Sequence, residues 1–172
     1  MNKKAETMVK MSETLSYFTD NDKQFLKENL FSIFGNKPLV CAEIGNYTGN
    51  STQYFANMLP EGSTFYSVDI TRHDIDVPDN VIRVTENSLD WNCPSHLDFV
   101  YLDGRHEGHH VFQEIMKFKN HTSIIAGHDL IWISGAIIGI MFDESLKEKY
   151  NITLLTNNKS RSWIMIFKSI LL

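Results

Sequence analysis

Three aspartates, two histidines and two glycines stand in an order that can bind a nucleotide-like ligand and move a proton beside it. Gly45 and Gly49 belong to Glu43-Ile-Gly45-Asn46-Tyr47-Thr-Gly49-Asn-Ser51, which follows the apolar run Leu39-Val40-Cys41-Ala42 and precedes a helical spacing of Tyr54, Phe55, Met58 and Leu59. A strand, glycine turn and helix bring backbone close to a ligand, and the free amides that open the helix bind a negative group. Asp69 ends the next strand-like run, Phe65-Tyr66-Ser67-Val68, at about the 20-residue spacing that suits an acceptor for ribose hydroxyls. Asp103 ends a later apolar run, and His106 follows it by three residues. An imidazole there titrates near neutrality and can take a proton from a hydroxyl within hydrogen-bond reach. His128 and Asp129 place a second imidazole and carboxylate side by side.

The elements that must hold these groups alternate along the chain. Apolar runs predict strands near 39–44, 64–68, 81–84, 97–102, 123–127, 152–155 and 163–168, and helical spacing predicts helices near 51–59, 107–119 and 131–149. Strands separated by helical segments need crossovers, hence a mainly parallel sheet. Residues 71–80 carry no apolar stripe, so the helix of that crossover should be short or missing. Only the polar stretch 156–161 separates the last two strands, which suits a hairpin and makes the final pair antiparallel. Before the first strand, Met8, Met11, Leu15 and Phe18 recur at helical spacing. The capping oxygens of residues 19–22 then precede a second helix bearing Phe25, Leu26, Leu30, Ile33 and Phe34. The expectation is a single-domain α/β fold with a seven-stranded sheet and helices on both faces. Residues 1–36 form N-terminal cap helices and 37–172 the ligand-binding part.

Composition narrows the function. A chain of 172 residues with 42% hydrophobic content fills one core. Net charge −5 argues against a long phosphate-tracking surface, so nucleic acid is not expected as a partner. The longest apolar stretch, 130–142, is interrupted by Ser134, Gly135 and Gly139 and falls short of the roughly 20 residues that cross a bilayer. The N-terminus lacks the apolar core of a signal peptide, so a cytoplasmic protein without a membrane partner is expected. Cys41 and Cys93 give neither a disulfide framework nor a metal-knuckle spacing.

The glycine segment resembles that of the catechol and caffeoyl-CoA O-methyltransferases, where Glu-x-Gly-x-[Tyr/Phe]-x-Gly-x-Ser is typical. Leu97-Asp-Phe-Val-Tyr-Leu-Asp103-Gly-Arg-His106 and Ile125-Ala-Gly-His128-Asp129 are similar to segments of the bacterial methyltransferase domain 24 group. The resemblance spans roughly residues 37–168 and implies a Rossmann-like (class I) fold with S-adenosylmethionine as cofactor. It also implies transfer of a methyl group to a small-molecule acceptor, most readily to oxygen. By the same resemblance the donor site comprises Glu43, Gly45, Asn46, Tyr47, Gly49, Ser51, Asp69, Ser88, Leu89 and Asp103. Tyr47 lines the methionine end, Ser51 binds the carboxylate, Ser88 and Leu89 meet the adenine, and Asp103 takes the ammonium. Catalytic roles fall to His106, Asp103, Asp129 and His128.

Metal-dependent members of that group add an Asp-Asn pair after the fifth strand, replaced here by Asp129-Leu130. One oxygen ligand of an Mg²⁺ site is thus absent, and a metal-independent site is expected. If Mg²⁺ binds, Asp103 and Asp129 are its ligands. His106 has a structural alternative, bracing the turn through Asp129. His109 and His110 read as capping or exposed histidines rather than zinc ligands. Gly135 and Gly139 read as permitting close packing on the sheet. Phe55, Met58, Val111, Ile115, Met116, Phe118, Ile138, Met141 and Phe142 are assigned to the core. Two rivals remain: a catalytically silent donor-binding domain with a regulatory or assembly role, and an NAD-dependent oxidoreductase, which would want a complete Gly-x-Gly-x-x-Gly. Acceptor identity and oligomeric state stay open, a homodimer included.

Overall fold

The computed structural model describes residues 18–170, so the expected helix through Met8, Met11 and Leu15 lies outside the described residues. Seven strands, β1 (Val40–Ile44), β2 (Thr64–Asp69), β3 (Val81–Thr85), β4 (Phe99–Leu102), β5 (Ile124–Gly127), β6 (Tyr150–Leu155) and β7 (Trp163–Ser169), form one sheet in the order β3-β2-β1-β4-β5-β7-β6. Pairs from β3 through β5 are parallel, and β7 runs antiparallel to both β5 and β6. The chain works outward from β1 to β3 and then returns to β4 on the other side of β1. Crossovers leave in opposite directions there, and a crevice opens at the C-terminal ends of β1 and β4.

The helices are α1 (Asp20–Asn29), α2 (Asn50–Met58), α3 (Gly108–Phe118), α4 (Leu130–Phe142) and α5 (Glu144–Lys147), with a 3₁₀ turn at Phe31–Ile33 after α1. Helices cover both faces of the sheet, so its central strand β4 is apolar at every position. In β4, Phe99 and Tyr101 join Phe25, Leu26, Leu30 and Phe55 on one face. Val100 and Leu102 join Val111, Ile115, Ile133 and Ile137 on the other. Residues 70–80 run without helix, as the absence of an apolar stripe requires. No helix among the described residues is long and apolar enough to cross a membrane.

Three expectations need correction. The helix expected over 131–149 breaks at Asp143, whose carboxylate accepts the Leu146 amide at 3.1 Å and the Ser145 hydroxyl at 2.6 Å, capping α5 instead of extending α4. Ile138 and Phe142 are exposed rather than buried, because α4 is apolar nearly all round and periodicity alone cannot choose its inner face. The face that meets the sheet is Ile133, Ala136, Ile137 and Ile140. Gly135 therefore lies outward, where an added Cβ would meet no atom within 4 Å among the described residues, and its presence there is not explained by packing.

Candidate active site

A cavity of about 830 Å³ occupies the crevice, a volume suited to a small-molecule ligand. Its floor is the turn after β1. Gly45 has φ +87°, and a Cβ there would stand 2.3 Å from the Asp103 carbonyl oxygen, so only glycine lets the ends of β1 and β4 close up. Tyr47 and Asp129 are the two non-glycine residues with positive φ (35° and 54°) among the described residues, and both line the cavity. Strained backbone of this kind collects at functional sites. Asp69 leaves the end of β2 and braces the turn: Oδ2 accepts the amides of Asn46 (3.0 Å) and Tyr47 (3.5 Å), and Oδ1 accepts that of Thr71 (2.9 Å).

Behind the turn, Glu43 is fully buried and accepts hydroxyl hydrogen bonds from Ser51, Thr52 and Ser67. Burial raises its carboxyl to about 7, against the opposing pull of those hydroxyls. The folded chain therefore holds this proton more tightly than the unfolded chain. The group's contribution to stability is greatest below the ordinary glutamate pKa and declines as pH rises through the window up to about 7. Glu43→Gln is expected to remove that decline, worth at most about 3 kcal/mol. Melting temperatures of both proteins between pH 5 and pH 8 check this; parallel pH curves would refute it.

On the other side of β1, the ends of β4 and β5 assemble four carboxylate and imidazole groups around the cavity. His106 Nδ1 lies 3.7 Å from Asp129 Oδ2, and His128 Nδ1 lies 3.3 Å from Asp129 Oδ1 and 3.7 Å from Asp103 Oδ1. His128 is buried, and its Nε2 faces Asp22 Oδ2 of α1 at 3.5 Å. Arg161 Nη1 stands 3.8 Å from Asp129 Oδ1. Burial alone would lower the His128 pKa, but contact with Asp22 and the charges of Asp103 and Asp129 outweigh it and raise it. Burial pushes Asp103 up to about 7, with His128 pulling the other way. For Asp22 burial is again the largest influence and is upward, yet contacts from His128, Thr19 and Ser160 together hold the carboxyl well below its usual range.

At the β3 end, the cavity wall is Glu86, Asn87 and Ser88 with His110 and Glu114 of α3. The Ser88 hydroxyl donates to Glu114 Oε1 at 2.5 Å, and His110 Nε2 approaches the same oxygen at 3.2 Å. Lys117 Nζ donates to the carbonyls of Ser88, Leu89 and Trp91, fixing this loop on α3.

Of the residues singled out from the sequence, Gly45, Tyr47, Asp69, Ser88, Asp103, His106, His128 and Asp129 line this one cavity. Glu43, Asn46, Gly49, Ser51 and Leu89 do not. Glu43 and Ser51 bond to each other, and the Asn46 side chain donates to Ser67, so these three support the turn from behind. The Leu89 amide donates to Asn87. Trp91 packs on Tyr66 and Phe118. Sequence reading missed Glu114, although an acid at the second position of the stripe Val111, Glu114, Ile115 and Phe118 interrupts its apolar run and was visible as such. Asp22 read only as a cap, and no local pattern could show that it reaches His128.

The fold is that of the class I, S-adenosylmethionine-dependent methyltransferases. Neither a family model nor a curated protein matches the chain. Among solved structures, an O-methyltransferase from Bacillus cereus in complex with S-adenosylhomocysteine (SAH) is 13% identical, with TM-score 0.61, over 96% of this chain and 89% of that one. The methyltransferase MycE of mycinamycin biosynthesis, solved with Mg and SAH, is 14% identical with TM-score 0.67 over 89% of this chain; the match spans about half of MycE, 52%. A Clostridium thermocellum protein provisionally named an rRNA-methylase is 12% identical with TM-score 0.60, over 87% of this chain and 96% of that one.

Proposed function

We propose that this chain transfers a methyl group from S-adenosylmethionine to an oxygen of a small molecule. The observation that carries the reading is one cavity with a carboxylate from the end of β2 and another from the end of β4, on either side of a close glycine turn. Asp69 accepts the ribose hydroxyls and Asp103 the ammonium of the methionine part, which leaves the sulfonium between them and opposite His106. In the transfer the acceptor oxygen bonds to the methyl carbon as the carbon–sulfur bond breaks; the sulfonium becomes a neutral thioether, and the acceptor's proton leaves to a base. Alignment dominates such a displacement. His106, 48% exposed on its side chain and braced toward Asp129, is that base. His128 suits the role less, because it is buried and because, against the downward pull of that burial, the contact with Asp22 and the charges of Asp103 and Asp129 raise its pKa and so favour the imidazolium. Its charge instead balances Asp103 and Asp129.

The residues also fit a divalent cation. Asp103, His106 and Asp129 each offer a ligand atom within 4.8 Å of the others, and buried Asp129 Oδ1 has no hydrogen-bond partner among the described residues. Two carboxylates and an imidazole suit Mg²⁺ or Mn²⁺ completed by water. Bound there, the ion would supply positive charge beside the acceptor oxygen. A nitrogen given to a metal cannot serve as base, so the metal response decides which use His106 has.

Calorimetric titration with SAH, repeated with EDTA, Mg²⁺ and Mn²⁺, tests the donor site. Binding that EDTA leaves unchanged is the expected result, with reduced nicotinamide dinucleotide giving no heat. Binding of the dinucleotide and not of SAH would overturn the reading. His106→Ala is expected to leave SAH affinity unchanged.

A further inference from the structure

One face of α4 is apolar and uncovered. From Leu130 to Phe142 the chain carries no charged residue, and a helix that is apolar all round is ordinarily covered all round. The core takes only one side of it, through Ile133, Ala136, Ile137 and Ile140. Directly opposite, Ile131 (84% exposed), Ile138 (57%) and Phe142 (70%) form a stripe with Gly135, and Trp132 (75%) flanks them. Four large apolar side chains on one helix make a patch on the order of 500 Å², near the upper end of what a monomer exposes and a substantial part of the roughly 800 Å² that each partner buries in a stable interface. With 13 residues, α4 is too short to span a bilayer, and it lacks the cationic face with which a helix lies on a membrane surface.

The stripe is complementary to itself. Positions 131, 135, 138 and 142 are spaced four, three and four, so the pattern reads the same in both directions. When a second α4 lies antiparallel across a two-fold axis, Ile131 meets the partner's Phe142 and Gly135 meets the partner's Ile138. A glycine within a helix lowers its stability, and at Gly135 an added Cβ would meet no atom within 4 Å among the described residues. The open space above Gly135 is the hole that the partner's Ile138 fills. Trp132 and Gly139 share one flank of the stripe, so the pairing there again sets a large side chain beside a small one. No charge on the helix is desolvated. We infer that α4 is the interface of a homodimer, in which two copies pack this helix antiparallel across Gly135. The inference stands apart from the donor site proposed above.

Analytical ultracentrifugation over a range of concentrations, with tryptophan emission read on the same samples, tests this. Trp91 and Trp163 are buried within the chain, so a change of emission on dilution reports Trp132. Twice the mass of one chain is expected at micromolar concentration, with emission shifting to the red as dilution halves that mass. Gly135→Glu places a charge at the crossing point without touching its own chain, and should raise the dissociation constant about a hundredfold or more, as loss of a central contact does. Its far-ultraviolet circular dichroism should match that of the wild type, and Ile138→Glu should dissociate the dimer likewise. Ile82→Glu, at an exposed isoleucine of β3, should change neither mass nor emission. A monomer at every concentration would overturn the inference, as would a dimer that both α4 variants leave intact or that Ile82→Glu dissociates. Trp132 already shielded in a monomer would assign the face to residues 1–17, and shielding only on addition of phosphatidylcholine vesicles would assign it to a membrane surface; either result overturns the inference too.

Discussion

Asp103→Asn is expected to weaken SAH binding by roughly a hundredfold while lowering the melting temperature little or raising it. Truncating one partner of a buried charge pair costs about 2–5 kcal/mol, and a hundredfold corresponds to about 2.7 kcal/mol. Without ligand the balance is reversed. Asp103 lies in a site where burial pushes its carboxyl up to about 7, and Asp129, Glu43 and Asp22 add to the repulsion. The folded chain therefore bears strain that His128 offsets in part and the donor's ammonium relieves further, and removing the acid removes the strain. Sites held for function against stability behave in this way. Calorimetry and a thermal melt on the same preparation give both numbers. Unchanged affinity in a folded variant would show that the ammonium is held elsewhere. Asp69 makes a less clean test, because its carboxylate also holds the amides of Asn46, Tyr47 and Thr71.

Gly45→Ala is expected to destabilise the chain by about 4 kcal/mol, from left-handed backbone strain of about 1–3 kcal/mol and overpacking of similar size. A Cβ would lie 2.3 Å from the Asp103 carbonyl oxygen and 2.6 Å from Gly104 Cα, all backbone that cannot turn aside. Relief requires the ends of β1 and β4 to part, which also opens the cavity floor. Gly35→Ala is the internal control: its φ is +65°, but the added carbon meets no atom within 4 Å among the described residues, so strain is its only cost. Urea denaturation of the three proteins measures the difference. Similar midpoints for the two variants would mean that close approach at Gly45 contributes nothing.

Much of the fold was legible because its determinants are local. Runs such as Phe99–Leu102, apolar at four consecutive positions and too short for a helix, read as strands covered on both faces, and the six polar residues between the last strands are too few for a helical crossover. The break at Asp143 was less legible, since an aspartate inside a helical pattern declares itself a cap only through the amide it accepts. For the site, the residues on strand ends came together as the motifs suggested, because strand direction and the position of the turn fix where a C-terminal residue points. Glu43 and Ser51 were harder to place. A motif records that two residues belong with a ligand-binding turn, but not whether they touch the ligand or hold the turn from behind.

Asp22 joins residues far apart in the chain. Its Oδ1 accepts from the Ser160 hydroxyl and the amides of Arg161 and Ser162, partners 138 to 140 residues away, and its Oδ2 faces His128 beneath the cavity. Contacts of such separation form late in folding, after the entropy of closing the intervening loop has been overcome. The helices and central strands can thus reach their native circular-dichroism signal while the hairpin turn is still undocked and His128 unanchored. In a stopped-flow refolding experiment, ligand competence should therefore lag behind secondary structure, with the lag set by the docking of α1 against the 160–162 turn.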